Sequence, residues 1–413
     1  MKNVVILGSG AGGTMIAAKL RQELDEADWR ITIIDKHPRH DYQPGWLFVP
    51  FGIYTARDCA KPKSDFIMPG VDLVLDEVVN VDPGKRTVKT RLGQLSYDWL
   101  VIATGCRIMP EEIDGMMDDW GGNVHTFYTI EGAVALQKKM KYFESGRVVF
   151  NIAELPFKCP VAPLEFIYMA DWFFRVNGVR DNVEIELVTP LAGAFTKPVS
   201  SKALGKLCEQ KNIKISPNFD LAQVNAGEKT IESHLGNKVP YDLLVSIPPN
   251  FGAQYIIDSG IGDPIGYMNT DHFTLQAKDY DRIYVIGDAT NVPTSKAGSV
   301  AHYQSETVVE NLVREIDGYE PKPTADGHST CFIVTGFEKA SLIDFNYTVE
   351  PLEGKFPFPG FGPFDLLGDT HLNYWGKMMF KWVYWNLMMK GLDFPLEPQM
   401  TMAGKINTAE AVA

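Results

Sequence analysis

Val4-Val5-Ile6-Leu7-Gly8-Ser9-Gly10-Ala11-Gly12-Gly13 is the stretch that decides the fold. Four apolar, mostly β-branched residues read as a strand buried on both faces, and the glycines lead into the helix-compatible stretch Met15 to Leu24. Strand, glycine loop and helix in that order build a phosphate cradle. Gly8 permits the tight turn, Gly10 leaves room for a pyrophosphate against bare backbone, and Gly13 lets helix and strand pack closely, with phosphate charge on the helix N-terminus. A second strand, Arg30 to Ile34, ends in Asp35, an acidic residue suited to accept hydrogen bonds from a ribose diol. The pattern predicts a dinucleotide-binding unit; the competing explanation for the glycines alone is a plain structural turn.

Working outward, the apolar strand Trp99 to Ala103 ends in Thr104-Gly105, and a late strand, Ile283 to Ile286, ends in Gly287-Asp288. Two such distant strand ends resemble the two-dinucleotide-fold flavoproteins, and that resemblance makes the dinucleotide FAD. It implies FAD contacts at Gly8, Ser9, Gly10, Ala11, Gly12, Gly13, Asp35, Lys36, Pro44, Val78, Ala103, Thr104, Gly105, Gly287, Asp288, Lys296 and Gly298. The competing explanation for Asp288 is a helix N-cap before Ala289.

In that superfamily a second strand and glycine loop hold the nicotinamide cofactor that reduces the flavin. Here Arg147 to Ala153 supplies the strand, but Glu154-Leu155-Pro156-Phe157-Lys158-Cys159-Pro160-Val161-Ala162-Pro163-Leu164-Glu165 follows, and its bulky residues and prolines block close approach to phosphates. A nicotinamide donor is therefore not expected. Cys159 instead stands just ahead of the apolar helical segment Pro163 to Val176. A helix N-terminus and Lys158 are expected to lower its pKa and favour the thiolate, and Glu165 could accept a proton or be a solvated helix carboxylate.

These motifs resemble the sulfide:quinone oxidoreductase family, relatives of the flavoprotein of flavocytochrome c sulfide dehydrogenase. The residues that carry the likeness are the glycine loop, Tyr42-Gln43-Pro44-Gly45-Trp46, Phe157-Lys158-Cys159-Pro160 with Glu165, Gly287-Asp288 followed by Lys296-Ala297-Gly298, and Ser329-Thr330-Cys331-Phe332. The resemblance implies Cys159 and Cys331 as the sulfur-handling pair with Glu165 as base. Sulfide would attack a sulfur bridging the cysteines, electrons would pass through FAD to a membrane quinone, and sulfur would leave as polysulfide. Many members carry a third cysteine where this chain reads Thr126-Phe127-Tyr128-Thr129, and others a covalent flavin link from a cysteine near Tyr42-Gln43-Pro44 that is missing here, so FAD is expected to be non-covalent. Family members commonly form dimers or trimers, which implies a homo-oligomer. Three alternatives stay open: a flavoprotein passing sulfide electrons to a c-type cytochrome, an NADH:quinone oxidoreductase, and a non-catalytic FAD-bound scaffold.

Beyond Cys331 the composition changes. Phe356 to Phe364 is too rich in proline and glycine for a helix, whereas Leu372 to Met389 is helix-compatible and crowded with Trp, Tyr, Phe and Met, its lysines being Lys377 and Lys381, with Lys390 just beyond. Trp and Tyr favour the membrane interface and lysines can snorkel to head groups, so a monotopic, lipid-facing segment is expected; the alternative is core or dimer packing. Phe337, Phe358, Phe361, Phe364 and Tyr374 are the candidates for lining a quinone channel.

The remaining composition narrows the possibilities. A chain of 413 residues, 45% hydrophobic and 22% charged, fits two or three globular domains, and its net charge of −13 weighs against nucleic acid as a partner. No uncharged apolar run approaches a spanning helix, and no signal peptide is expected, because glycines interrupt the apolar N-terminal run. Five scattered cysteines without a CxxC predict neither a metal site nor a disulfide framework, and Cys59, Cys106 and Cys208 read as structural. The expected class is α/β with two Rossmann-like doubly wound domains. An FAD unit (1–115 and 245–320) is split by a degenerate, NAD-like unit (116–244), and a membrane-associating segment (321–413) follows.

Overall fold

The computed structural model describes residues 1–392 and 397–406; the remainder of the expected C-terminal segment lies outside the described residues. The chain begins with β1 (Lys2–Leu7), α1 (Ala11–Glu23), β2 (Trp29–Asp35), β3 (Val71–Leu75) and β4 (Trp99–Ile102). Residues Val4 to Leu7 are all buried, as a strand covered on both faces requires, and β1 pairs in parallel with β2 from Lys2↔Trp29 to Leu7↔Ile34. Each such side chain removed from water contributes about 1.5–3 kcal/mol.

A second parallel sheet comes next, built from β5 (Val124–His125), β6 (Gly146–Ile152), β7 (Val183–Val188), β8 (Ile213–Ser216) and β9 (Leu243–Ile247), in the order β5-β9-β6-β7-β8. Helix α2 (Ala162–Val176) follows β6, with proline in its first turn. The chain then returns to the first sheet. Strand β10 (Ile283–Val285) pairs with β4, completing the order β10-β4-β1-β2-β3, so the first unit is split by the second. Strand β9 belongs to the second sheet throughout, so that unit reaches residue 247 rather than the expected 244.

Helix α3 (Gly298–Ile316) packs beside α1. A third, mixed sheet follows, with β11 (Ser329–Gly336), β12 (Lys339–Phe345), β13 (Gly354–Phe358) and β14 (Gly362–Leu366) in the order β11-β12-β14-β13. The proline-rich stretch 356–364 thus forms a hairpin. Helix α4 (His371–Asn386) opens with Thr370, whose hydroxyl accepts from the Asn373 amide at 3.1 Å, and packs on β11, β12 and β14. Among the described residues no helix is long and apolar enough to cross a membrane. The third sheet meets the second unit where β11 lies against α2, and this contact brings the distant cysteine motifs together.

Candidate active site

A cavity of about 1460 Å³ begins at the C-terminal edge of the first sheet, passes Cys159 and Cys331, and continues along α4. The glycine loop shows why it is glycine. A Cβ on Gly8 would sit 2.6 Å from the Ala103 carbonyl oxygen, and one on Gly13 would sit 1.9 Å from that of Gly8. At Gly10 a Cβ would meet no protein atom within 4 Å, so bare backbone faces the open cavity. That is the shape a pyrophosphate needs.

Sixteen of the seventeen expected dinucleotide contacts, from Gly8 to Gly298, line this cavity; Gly13 does not, because it packs against Gly8. Asp35 Oδ2 accepts from the Ser9 amide at 2.7 Å and from buried Lys63 at 2.5 Å, while Oδ1 accepts from the His37 amide at 2.9 Å. A carboxylate offers about four acceptor directions, which leaves one for a ribose hydroxyl. Lys296 lines the cavity, but its ammonium is committed to the carbonyls of Asp288 (2.9 Å) and Thr290 (2.7 Å) and lies over the Tyr267 ring. Its work is to fix the Gly287-Asp288 turn. The donor set and the open loop fit a dinucleotide.

Where a second glycine loop would stand, the chain crosses to this same cavity. The Cys159 amide donates to the Lys296 carbonyl at 2.7 Å, and the Tyr128 hydroxyl donates to the Lys158 carbonyl at 2.7 Å. Cys159 is held at φ +56°, in the left-handed region, a conformation that costs a non-glycine residue about 1–3 kcal/mol and tends to occur at functional sites. The Cys159 carbonyl accepts from Ala162, the first residue of α2.

The expected activation of Cys159 by Lys158 and the helix terminus is not what the structure gives. The Lys158 ammonium turns away to Gln43 Oε1 (2.9 Å) and lies over Trp46. Burial dominates instead, pushing the Cys159 thiol up to about 12, with Glu165 adding to the rise and Lys377 opposing it. Cys331, on β11, is raised by burial to about 11, opposed by Lys377 and by the Ser329 hydroxyl. Both thiols line one cavity.

Lys377 is the residue the sequence concealed. It was expected to reach lipid head groups, yet it points inward: its Nζ lies 2.7 Å from Glu165 Oε1 and 3.2 Å from the Phe332 carbonyl. Glu165 is 1% exposed and accepts a further hydrogen bond from the Val334 amide of β11. Burial works against the Lys377 charge, but Glu165 and the two cysteines outweigh it and raise its pKa. A buried cation near both thiols can steady a sulfur anion and hold a proton.

Of the aromatic candidates, Phe358 and Phe364 line the cavity and Phe337, Phe361 and Tyr374 do not. Phe337 and Glu338, both at positive φ, form the two-residue turn between β11 and β12, which directs Phe337 outward. Phe361 lies in the β13–β14 turn, 75% exposed and stacked on Phe358. Tyr374 packs on the core beside Trp375. Phe332, Phe356, Met379 and Phe380 line the cavity in their place. Cys106 also lines it, its sulfur 3.8 Å from Asp288 Oδ2, whereas Cys59 and Cys208 are buried in the core.

Fold and site define a dinucleotide-fold oxidoreductase with two cysteines on its cofactor cavity. Residues 2–149 match the family model described as Pyridine nucleotide-disulphide oxidoreductase. The mitochondrial sulfide:quinone oxidoreductase of Dictyostelium discoideum is 30% identical, the match covering 99% of this chain and 91% of that protein. That of Mus musculus is 28% identical over 94% and 86%. The solved structure of sulfide:quinone oxidoreductase from Aquifex aeolicus matches with a TM-score of 0.79 at 22% identity, covering 95% of this chain and 92% of that one. The chain belongs to the sulfide:quinone oxidoreductase family.

Proposed function

We propose that this protein oxidises sulfide and passes two electrons through non-covalently held FAD to a membrane quinone. The observation that carries this reading is that Cys159 and Cys331 line one cavity, which starts at the glycine loop, together with the Glu165–Lys377 pair that acts on both. In the oxidised resting state the cysteines share a sulfur–sulfur bond. Hydrosulfide attacks one sulfur, a new sulfur–sulfur bond forms there as a persulfide, and the other cysteine leaves as a thiolate carrying the electron pair. FAD held along the glycine loop, Asp35 and Gly287-Asp288 would supply the two-electron acceptor on the way to the quinone: with the pair gone, the thiolate sulfur would join the persulfide sulfur, the persulfide proton would pass to Glu165, and the bridge between the cysteines would be one sulfur longer. Lys377 stabilises the sulfur anion by charge, and Glu165 holds the ammonium in place and serves as the proton-accepting partner.

The far end of the cavity favours an oily acceptor. Phe358 (45% exposed) and Met379 (57% exposed) both line the cavity and reach the surface. Beside them Leu372, Trp375 and Trp382 form an exposed stripe on α4. This apolar mouth suits attachment to a bilayer surface and entry of a quinone from it. On this reading residues 1–115 and 248–320 are the FAD unit and the segment from 321 serves quinone and membrane. An NADH donor is disfavoured because the loop that would hold its phosphates carries Cys159 to the first cavity instead.

The test is anaerobic. Sulfide added to the purified yellow protein should bleach the flavin absorbance, NADH should not, and a soluble quinone should restore it. A flavin that sulfide leaves oxidised would overturn the reading.

A further inference from the structure

We propose that the hydroxyls of Ser329 and Ser299 are positioning donors that hold the Cys331 sulfur as an anion, thiolate or persulfide, during sulfide oxidation. Which anion matters rests on the functional reading above; the contact itself does not. Ser329 and Cys331 are two residues apart on β11, so their side chains leave the strand on the same face. The Ser329 oxygen lies 3.9 Å from the Cys331 sulfur, inside the range of a hydrogen bond to sulfur, and Ser329 is fully buried. Ser299 comes from a different element, the first turn of α3, and lines the cavity with Cys331. Its oxygen is buried and makes no hydrogen bond within the protein, and it lies close enough to Cys331 to favour the sulfur as an anion, so its proton is available to that anion when one forms.

Ser329 from β11 and Ser299 from the start of α3 thus bring two hydroxyls toward one sulfur. The other charged and titratable groups facing it are Lys377 from α4, which favours an anion, and Glu165 from α2, Cys159 and Tyr303, which do not. A neutral thiol gains little from several donors; a sulfur anion gains from each. Ser299 and Ser329 therefore act through Cys331 and do not themselves react.

The test reads the thiol directly. The reduced, FAD-loaded full chain is alkylated with iodoacetamide across a pH series, and labelling of Cys331 and Cys159 is followed by peptide mass spectrometry. With both hydroxyls removed (Ser329→Ala with Ser299→Ala), the Cys331 midpoint should rise by about one pH unit, about tenfold less thiolate at a given pH, while Cys159 stays put. Ser329→Thr, which keeps a hydroxyl, should keep the wild-type midpoint. An unmoved Cys331 midpoint in the double variant overturns the proposal, and so does an equal shift of both cysteines, which would mark a general change in packing. Sulfide turnover does not enter this readout, so a wild-type flavin inert to sulfide would overturn the functional reading alone.

Discussion

Lys377 Nζ lies 2.7 Å from Glu165 Oε1, although the two residues are 212 positions apart. The pair ties α4 to α2 at the point where both cysteines meet the cavity. Lys377→Met would leave the Glu165 carboxylate buried without its cation, a change that typically costs about 3–5 kcal/mol. Urea unfolding should show a loss of that size, and the surviving folded protein should bleach more slowly with sulfide at neutral pH. A loss below about 1 kcal/mol, the scale of an exposed pair, would mean that the ion pair does not hold these helices.

The glycine loop separates folding from binding. At Gly13 a Cβ would overlap the Gly8 carbonyl, so Gly13→Ala must push helix and strand apart and should destabilise the protein whether or not FAD is present. At Gly10 a Cβ meets open space, so Gly10→Ala should change the stability of the FAD-free protein by less than about 1 kcal/mol while weakening FAD retention. Thermal unfolding of stripped protein, paired with flavin content after gel filtration, distinguishes the two. Equal loss of stability in both variants would contradict the geometry.

His40 gives the fold a defined sensitivity to acid. It is 1% exposed, its Nε2 is 2.7 Å from the Tyr384 hydroxyl of α4, and its ring sits among Phe66, Tyr384 and Trp385. Burial, reinforced by Lys63, lowers its pKa to about 4. Between its unfolded pKa of about 6.5 and that value the unfolded chain binds a proton that the folded chain does not. Its contribution to stability is therefore intact above pH ~6.5 and falls as pH drops toward 4, by roughly 3 kcal/mol in all. Replacing it with a residue that does not titrate, His40→Gln, should flatten the stability–pH curve in that window by up to about 1.4 kcal/mol per pH unit. Parallel curves for the two proteins would refute this.

What the sequence revealed and what it hid follow from how local each signal is. The phosphate loop is contiguous: Gly13 answers to Gly8 five residues away and Gly10 needs only bare backbone facing open space, so Gly8 to Gly13 could be read directly. Cys159 and Cys331 were found through their surrounding motifs; that they share a cavity depends on β11 packing against α2, which no spacing encodes. Lys377 looked like a lipid-facing lysine because its immediate neighbours in the helix, from Tyr374 to Phe380, are aromatic or apolar; its partner sits in another unit. The aromatic candidates failed where side-chain direction is set by turns: Phe337 and Phe361 sit at two hairpin tips and face out. Burial reversed the expected thiol pKa, because desolvation of a sulfur anion outweighs a helix dipole and a lysine that points elsewhere.

The exposed stripe of α4 should separate attachment from chemistry. Trp375 and Trp382 are each 58% exposed, seven residues apart on one helix face, and neither lines the cavity. Lys377, from the same helix, faces the opposite way into the site, so the helix is amphipathic about an inward cation and an outward aromatic row. Trp375→Ser with Trp382→Ser removes interface-seeking aromatic surface while leaving the Glu165–Lys377 contact and both cysteines untouched. The double variant should lose most of its cosedimentation with phospholipid vesicles and its turnover with a long-chain quinone dissolved in them. Sulfide-dependent bleaching, and reoxidation by a short, water-soluble quinone, should stay within about twofold of wild type, since surface substitutions of this kind change stability by only about 0.5 kcal/mol. Vesicle binding that survives the substitutions would assign these tryptophans to contact with another copy of the chain; bleaching that fails with them would place the stripe inside the reaction path.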